Sequence, residues 1–102
     1  MELHYRSYGS GPPLVILHGL FGSLHNWQSH AAFLGKHFQV FAIDLRNHGA
    51  SPHSPVMSYA AMAEDMLEFV GRHHIAPVHL LGHSMGGKTA MHFALSCPQE
   101  VT

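Results

Sequence analysis

Gly82-His83-Ser84-Met85-Gly86 combines a nucleophilic side chain with the glycine spacing needed to expose it. Ahead of it, Pro77-Val78-His79-Leu80-Leu81 reads as a short apolar strand; behind it, Gly87-Lys88-Thr89-Ala90-Met91 reads as the start of a helix. A strand that becomes a helix within one residue forces the corner residue into a sparsely populated backbone conformation. The two elements then approach so closely that side chains two positions either side would clash, hence glycine at 82 and 86. The Ser84 hydroxyl is pushed into the open at the helix N-terminus, where the Met85 N–H faces any anion that develops beside it. The chemistry of such a corner is attack on an acyl carbon, with a covalent intermediate on Ser84. Gly-x-Ser-x-Gly also arises by chance in glycine-rich loops. The strand before it and the helix after it are the context that favours a nucleophile.

Acyl transfer through serine also needs a base, an acid that orients the base, and a second donor for the oxyanion. His18-Gly19-Leu20-Phe21-Gly22-Ser23 follows a buried-strand pattern and can supply that donor from the backbone of Leu20 or Phe21. In an open parallel sheet the loops after the strands share one edge, so this loop and the Ser84 corner should meet there. Taken alone, the segment is equally a tight glycine turn. Its co-occurrence with the corner about 65 residues later favours the catalytic reading.

The elements that must position these residues are legible. Residues 3–8 alternate as a half-exposed edge strand does. Leu14-Val15-Ile16-Leu17 and Val40-Phe41-Ala42-Ile43 are continuous β-prone runs, the profile of strands buried on both faces. Between them Trp27, Ala31, Leu34 and Phe38 recur at helical spacing, predicting a short helix over 26–36. Residues 46–55 are a loop by composition. Ser58 is the expected N-cap of a helix that turns Tyr59, Met62, Ala63, Met66, Phe69 and Val70 inward and Glu64, Asp65, Glu68 and Arg72 outward. The strand over 77–82 follows. Residues 85–96 are apolar nearly all round, which predicts a deeply buried helix ended by Pro98. Strands alternating with helices imply right-handed crossovers and a parallel sheet.

Composition narrows the function class. At 102 residues the chain is one domain at most, and 46% hydrophobic content is ordinary for a folded core. A formal charge of −1 leaves no electrostatic footprint for nucleic acid or an anionic membrane surface. No run approaches membrane-spanning length and the first residues are mixed polar, so neither a span nor a signal peptide is expected. The single Cys97 cannot form an internal disulfide, which fits a reducing cytoplasm. Twelve histidines are the odd number, but they pair with no cysteine and form no His-Glu-x-x-His. His79 and His83 are four apart on a strand running into a turn, where two rings do not converge on one ion. No metal or cofactor is expected.

The sequence resembles the N-terminal part of an α/β-hydrolase-fold serine esterase. Within that superfamily it is most similar to the small YbfF-type branch and its mitochondrial relatives. The likeness rests on His18-Gly19-Leu20-Phe21-Gly22-Ser23, Asp44-Leu45-Arg46-Asn47-His48-Gly49-Ala50-Ser51, and Gly82-His83-Ser84-Met85-Gly86-Gly87-Lys88-Thr89-Ala90-Met91. It implies an α/β fold with a mostly parallel sheet and flanking helices, here incomplete. It implies Ser84 as nucleophile, with the Met85 and Leu20 (or Phe21) amides as oxyanion hole and His18 and Gly19 shaping the loop. Asp44, Arg46 and Gly49 would hold the turn above the sheet rather than react. Asn47, where many members carry glycine, is a residue type that tolerates a left-handed backbone. Met57, Met62 and Met85 are candidates for an adaptable acyl pocket, Met62 equally for the core. The implied substrate is a small-molecule acyl ester or thioester.

In such enzymes the acid and the histidine follow the serine along the chain. Only 18 residues follow Ser84, and His92 and Glu100 are their only acid–base candidates. His92 lies eight residues along a helix, roughly 12 Å of rise away. His83 neighbours the nucleophile but should project away from it. Asp44, if its strand is two places from the Ser84 strand, is roughly 10 Å off. Residues 1–102 therefore read as an N-terminal fragment of a single hydrolase domain, inactive by itself, with its triad acid and histidine further on. The alternatives are a non-catalytic remnant or binding module, or a lyase on the same scaffold. An aspartate nucleophile, as epoxide hydrolases and haloalkane dehalogenases use, is disfavoured by serine at 84.

Overall fold

The computed structural model describes residues 1–102. Four strands, β1 (Tyr5–Tyr8), β2 (Pro13–Leu17), β3 (Gln39–Ile43) and β4 (His79–Gly82), form one sheet in the order β1-β3-β2-β4. β2 runs parallel to both β3 and β4, and only β1 is antiparallel. Leu17 is in register with Ile43 on one side and with Gly82 on the other. His18, Asp44 and His83 therefore leave the sheet along one edge, and that alignment builds the site.

Each strand splits its apolar residues between two faces. Val15, Leu17, Phe41 and Ile43 pack with Met62, Met66, Phe69, Val70 and Phe93 from the helices α2 (Tyr59–His73) and α3 (Met85–Ser96). On the opposite face Leu14, Ile16, Val40 and Ala42 pack on Leu24 and Ala31 beneath α1 (Gln28–Leu34). The expected first helix is thus two pieces. Ser23 opens a 3-10 turn at Leu24–Trp27 through a reciprocal capping box with Asn26, and α1 continues from it. Ser58 caps α2 as its sequence suggests, its Oγ accepting the Ala61 N–H at 3.0 Å.

Four expectations need correction. Asp65 does not face outward: it is buried, and both its oxygens accept from the Arg46 guanidinium, at 2.6 and 2.8 Å. Tyr59, expected inward, is 38% exposed at the start of α2. Nor is α3 deeply buried. Its Met85, Thr89 and Phe93 stripe is, whereas Met91 and Leu95 stand 60% and 85% exposed, because α3 packs on α2 and the sheet along one side only. The last strand starts at His79 rather than 77 and forms the rim of the sheet, with one outer bridge from Val78 to Val101.

Candidate active site

Ser84 stands two residues past the end of β4 and immediately before the first residue of α3, with φ 55° and ψ −114°. A side chain held there is strained by about 1–3 kcal/mol. The geometry around it explains both glycines. A Cβ on Gly86 would lie 2.1 Å from the Leu17 carbonyl oxygen, and one on Gly82 would lie 2.5 Å from that of Gly86. The corner is therefore closed sterically from two sides while Ser84 itself is solvent-exposed. Its carbonyl accepts the Lys88 N–H at 3.0 Å, the first bond of α3, and its side chain caps nothing. The Met85 amide, at the first helical position, has no acceptor inside the helix.

The loop after β2 meets this corner. A Cβ on Gly19 would sit 3.4 Å from Ser84 Cβ and 3.1 Å from His83 Nδ1. Gly19, Leu20, Asn26, Trp27, His30, His83 and Ser84 line one cleft of about 400 Å³. On the other side of Leu20 a second opening is lined by Met57, Ser58, Tyr59, Met85 and Lys88, again with Ser84. Met62, the other candidate for an acyl pocket, is instead in the core, 2% exposed. Of the amides in the loop, Gly22 donates to the Gly19 carbonyl at 3.0 Å and Phe21 donates to His48 Nε2 at 3.1 Å. The Leu20 amide makes no bond within the protein.

His18 is fully buried and fixes the root of that loop. Its Nδ1 donates to the Gly19 carbonyl at 2.8 Å and its Nε2 accepts the Leu45 amide at 3.0 Å. Burial lowers its pKa below the ordinary 6.5, the Gly19 carbonyl opposing and the neighbouring His48 adding to the shift, so the ring stays neutral.

Asp44 is committed elsewhere. Its Oδ1 accepts the Leu24 amide at 2.8 Å, and its Oδ2 accepts the Ala50 amide at 3.0 Å and His4 Nδ1 at 2.9 Å. Burial alone would raise this carboxyl; the two amides and His4 outweigh it, and its pKa falls below the usual value. Gly49, at φ 51°, presses so closely that a Cβ there would meet the carboxylate at 2.3 Å. Asn47 adopts φ 67°, the left-handed region. Asp44, Arg46, Asn47 and Gly49 thus shape the turn above the sheet. β3 lies two strands from β4 in the sheet order.

No histidine bonds the Ser84 hydroxyl. His83 lies tilted against Trp27 with ring centroids 5.9 Å apart, and His92 lies on the α3 side that faces Ala60, Glu64 and Leu67. Two residues that matter to the loops escape sequence reasoning: Asp65, because a carboxylate in an amphipathic helix counts as outward, and His48, whose partner is a backbone amide far off in sequence. The one available signal is the arginine at 46 within an otherwise uncharged loop, a cation that calls for a carboxylate nearby.

The exposed Ser84 at positive φ and the loop after β2 thus meet at one edge of a largely parallel sheet. Residues 12–102 match the family described as alpha/beta hydrolase fold, and the chain belongs to it. It is 52% identical over 95 residues to the sn-1-specific diacylglycerol lipase ABHD11 of Danio rerio, covering 91% of this chain and 30% of that protein. With the esterase YbfF of Escherichia coli it shares 46% over 79 residues, 78% of this chain and 31% of the relative. A solved structure described as a marine microorganism esterase superposes with TM-score 0.97 at 54% identity, over 99% of this chain and 39% of that one. The chain spans about a third of the length of the curated relatives it matches. The YbfF-type likeness expected from the sequence is present among them. No helix of the structure is long and apolar enough to cross a membrane.

Proposed function

We propose that this chain is the amino-terminal part of a serine carboxylesterase or thioesterase, and that Ser84 is its nucleophile. Ser84 Oγ attacks the acyl carbon while a histidine base, supplied from beyond residue 102, takes its proton. The carbonyl oxygen becomes an oxyanion received by the Met85 and Leu20 amides. The bond to the leaving group breaks as the base returns the proton to the departing alcohol or thiol. Water then repeats the attack on acyl-Ser84, releasing the acid and the free hydroxyl.

The observation that carries this reading is the left-handed, exposed Ser84 at the start of α3, with Gly19 packed against it. The apolar lining by Leu20, Met57 and Met85 suits an acyl chain. A fluorophosphonate probe on the full-length protein should label Ser84, and Ser84→Ala should abolish labelling and ester hydrolysis. Folded protein that resists the probe would count against the proposal.

One observation favours a second reading, a non-catalytic binding module: no base contacts Ser84 within the 102 residues. Reading the gene past residue 102 separates the two, since a stop codon there leaves no source for the triad.

A further inference from the structure

His48 is buried, 9% exposed, in the loop after β3, and the proposed chemistry assigns it no task. Both ring nitrogens are nevertheless used. Nδ1 lies 2.9 Å from the Arg46 carbonyl oxygen, which can only accept, so Nδ1 carries the proton. Nε2 is then the lone-pair nitrogen and accepts the Phe21 amide at 3.1 Å. His18 has the same tautomer and works in the opposite direction, from the β2 loop to the Leu45 amide of the β3 loop. The two rings lie 5.0 Å apart. Together they cross-link the two loops through backbone groups.

The consequence falls on the oxyanion donors. The Gly22 amide is spent on the turn and the Phe21 amide on His48, so Leu20 is left as the free donor of residues 20–22. The Gly19–Leu20 peptide is planar, so its N–H points opposite its carbonyl. That carbonyl is held by His18 Nδ1 and the Gly22 amide together. Phe21 itself sits at φ 62° with its ring 92% exposed, so packing of its own side chain does not hold it in this conformation. The His48 bond does.

Resting on Ser84 as nucleophile, we infer that His48 is a positioning residue of the oxyanion hole: by accepting the Phe21 amide it pins the left-handed turn and leaves the Leu20 amide as the loop's donor. His48 makes no hydrogen bond to Ser84; its ring bonds only the Phe21 amide and the Arg46 carbonyl. Its effect runs entirely through the Phe21 peptide.

Two near-isosteres separate this role from plain packing. In His48→Gln the side-chain oxygen reaches the place of Nε2 and can still accept the Phe21 amide. In His48→Asn the amide reaches only the place of Nδ1, so the Arg46 carbonyl keeps its donor and Phe21 loses its acceptor. In the full-length protein, with a short-chain p-nitrophenyl ester, His48→Asn should lower kcat about 100-fold with KM within about threefold, the loss expected for a misplaced catalytic group. His48→Gln should recover most of it, at a melting midpoint like that of His48→Asn. Amide hydrogen exchange reads the bond itself whether or not the protein turns over ester: Phe21 exchange should rise at least about tenfold in His48→Asn and stay slow in His48→Gln. Equal losses of kcat in the two variants, a change confined to KM, or an unchanged Phe21 exchange rate in His48→Asn overturns the assignment. Failure of the esterase reading shows separately, as absent probe labelling of the wild-type protein at Ser84.

Discussion

His18 illustrates how far the loops around Ser84 rest on histidines bonded only to backbone groups. Its place before Gly19 is obvious in the sequence, but what it bonds is not, because its partners are a carbonyl next door and an amide 27 residues away. Side-chain patterns carry no mark of a backbone partner. The same applies to His48 and Phe21, also 27 apart. Ser84 was legible for the opposite reason: glycines at fixed offsets record a steric demand in residue types. The neutral state of His18 has a measurable result. Its folded pKa lies below 6.5, so as pH falls through 6.5 the unfolded chain binds a proton that the folded chain refuses. Stability from this group is whole above that pH and shrinks below it, by up to about 1.4 kcal/mol per pH unit until the folded pKa is reached. His73, lowered chiefly by burial, adds to the slope with the same sign. Urea unfolding between pH 7.5 and 5 should therefore show a shallower decline in His18→Gln than in wild type. Parallel curves would contradict the assignment.

The loop after β3 is tied to α2 by the Arg46–Asp65 pair, whose side chains are 11% and 3% exposed. Arg46 also donates to the Val56 carbonyl at 3.0 Å, so one guanidinium organises the whole approach to α2. Hydrogen bonding to Asp65 raises the Arg46 pKa, keeping it charged. Removing one partner strands the other charge in a dry setting. Asp65→Ala should cost about 3–5 kcal/mol in urea unfolding, and adding Arg46→Met should restore most of it. A loss below about 1 kcal/mol in the single variant would show the pair to be solvated. Periodicity located α2 and its Ser58 cap, but it could not place Asp65, since helical phase treats every carboxylate as facing water. It misjudged α3 likewise: residue types gave an apolar surface all round, and only the assembled sheet reveals which third of that surface is covered.

At the scale of the whole molecule, strand–helix alternation was enough to foresee a parallel sheet with its loops gathered on one edge. The antiparallel β1 and the order β1-β3-β2-β4 needed coordinates, because short apolar strands pair equally well in several orders. Register then does what no single segment can, bringing His18, Asp44 and His83 to one level.

The backbone at Ser84 has a cost that the rest of the chain offsets. Glycine occupies φ 55°, ψ −114° without penalty, so Ser84→Gly should gain about 1 kcal/mol in unfolding free energy even after its looser denatured chain is counted. A destabilised Ser84→Gly variant would remove the case for strain. If the gain is found, random drift toward greater robustness would erase the hydroxyl first, and its persistence would mark selection for reactivity over durability.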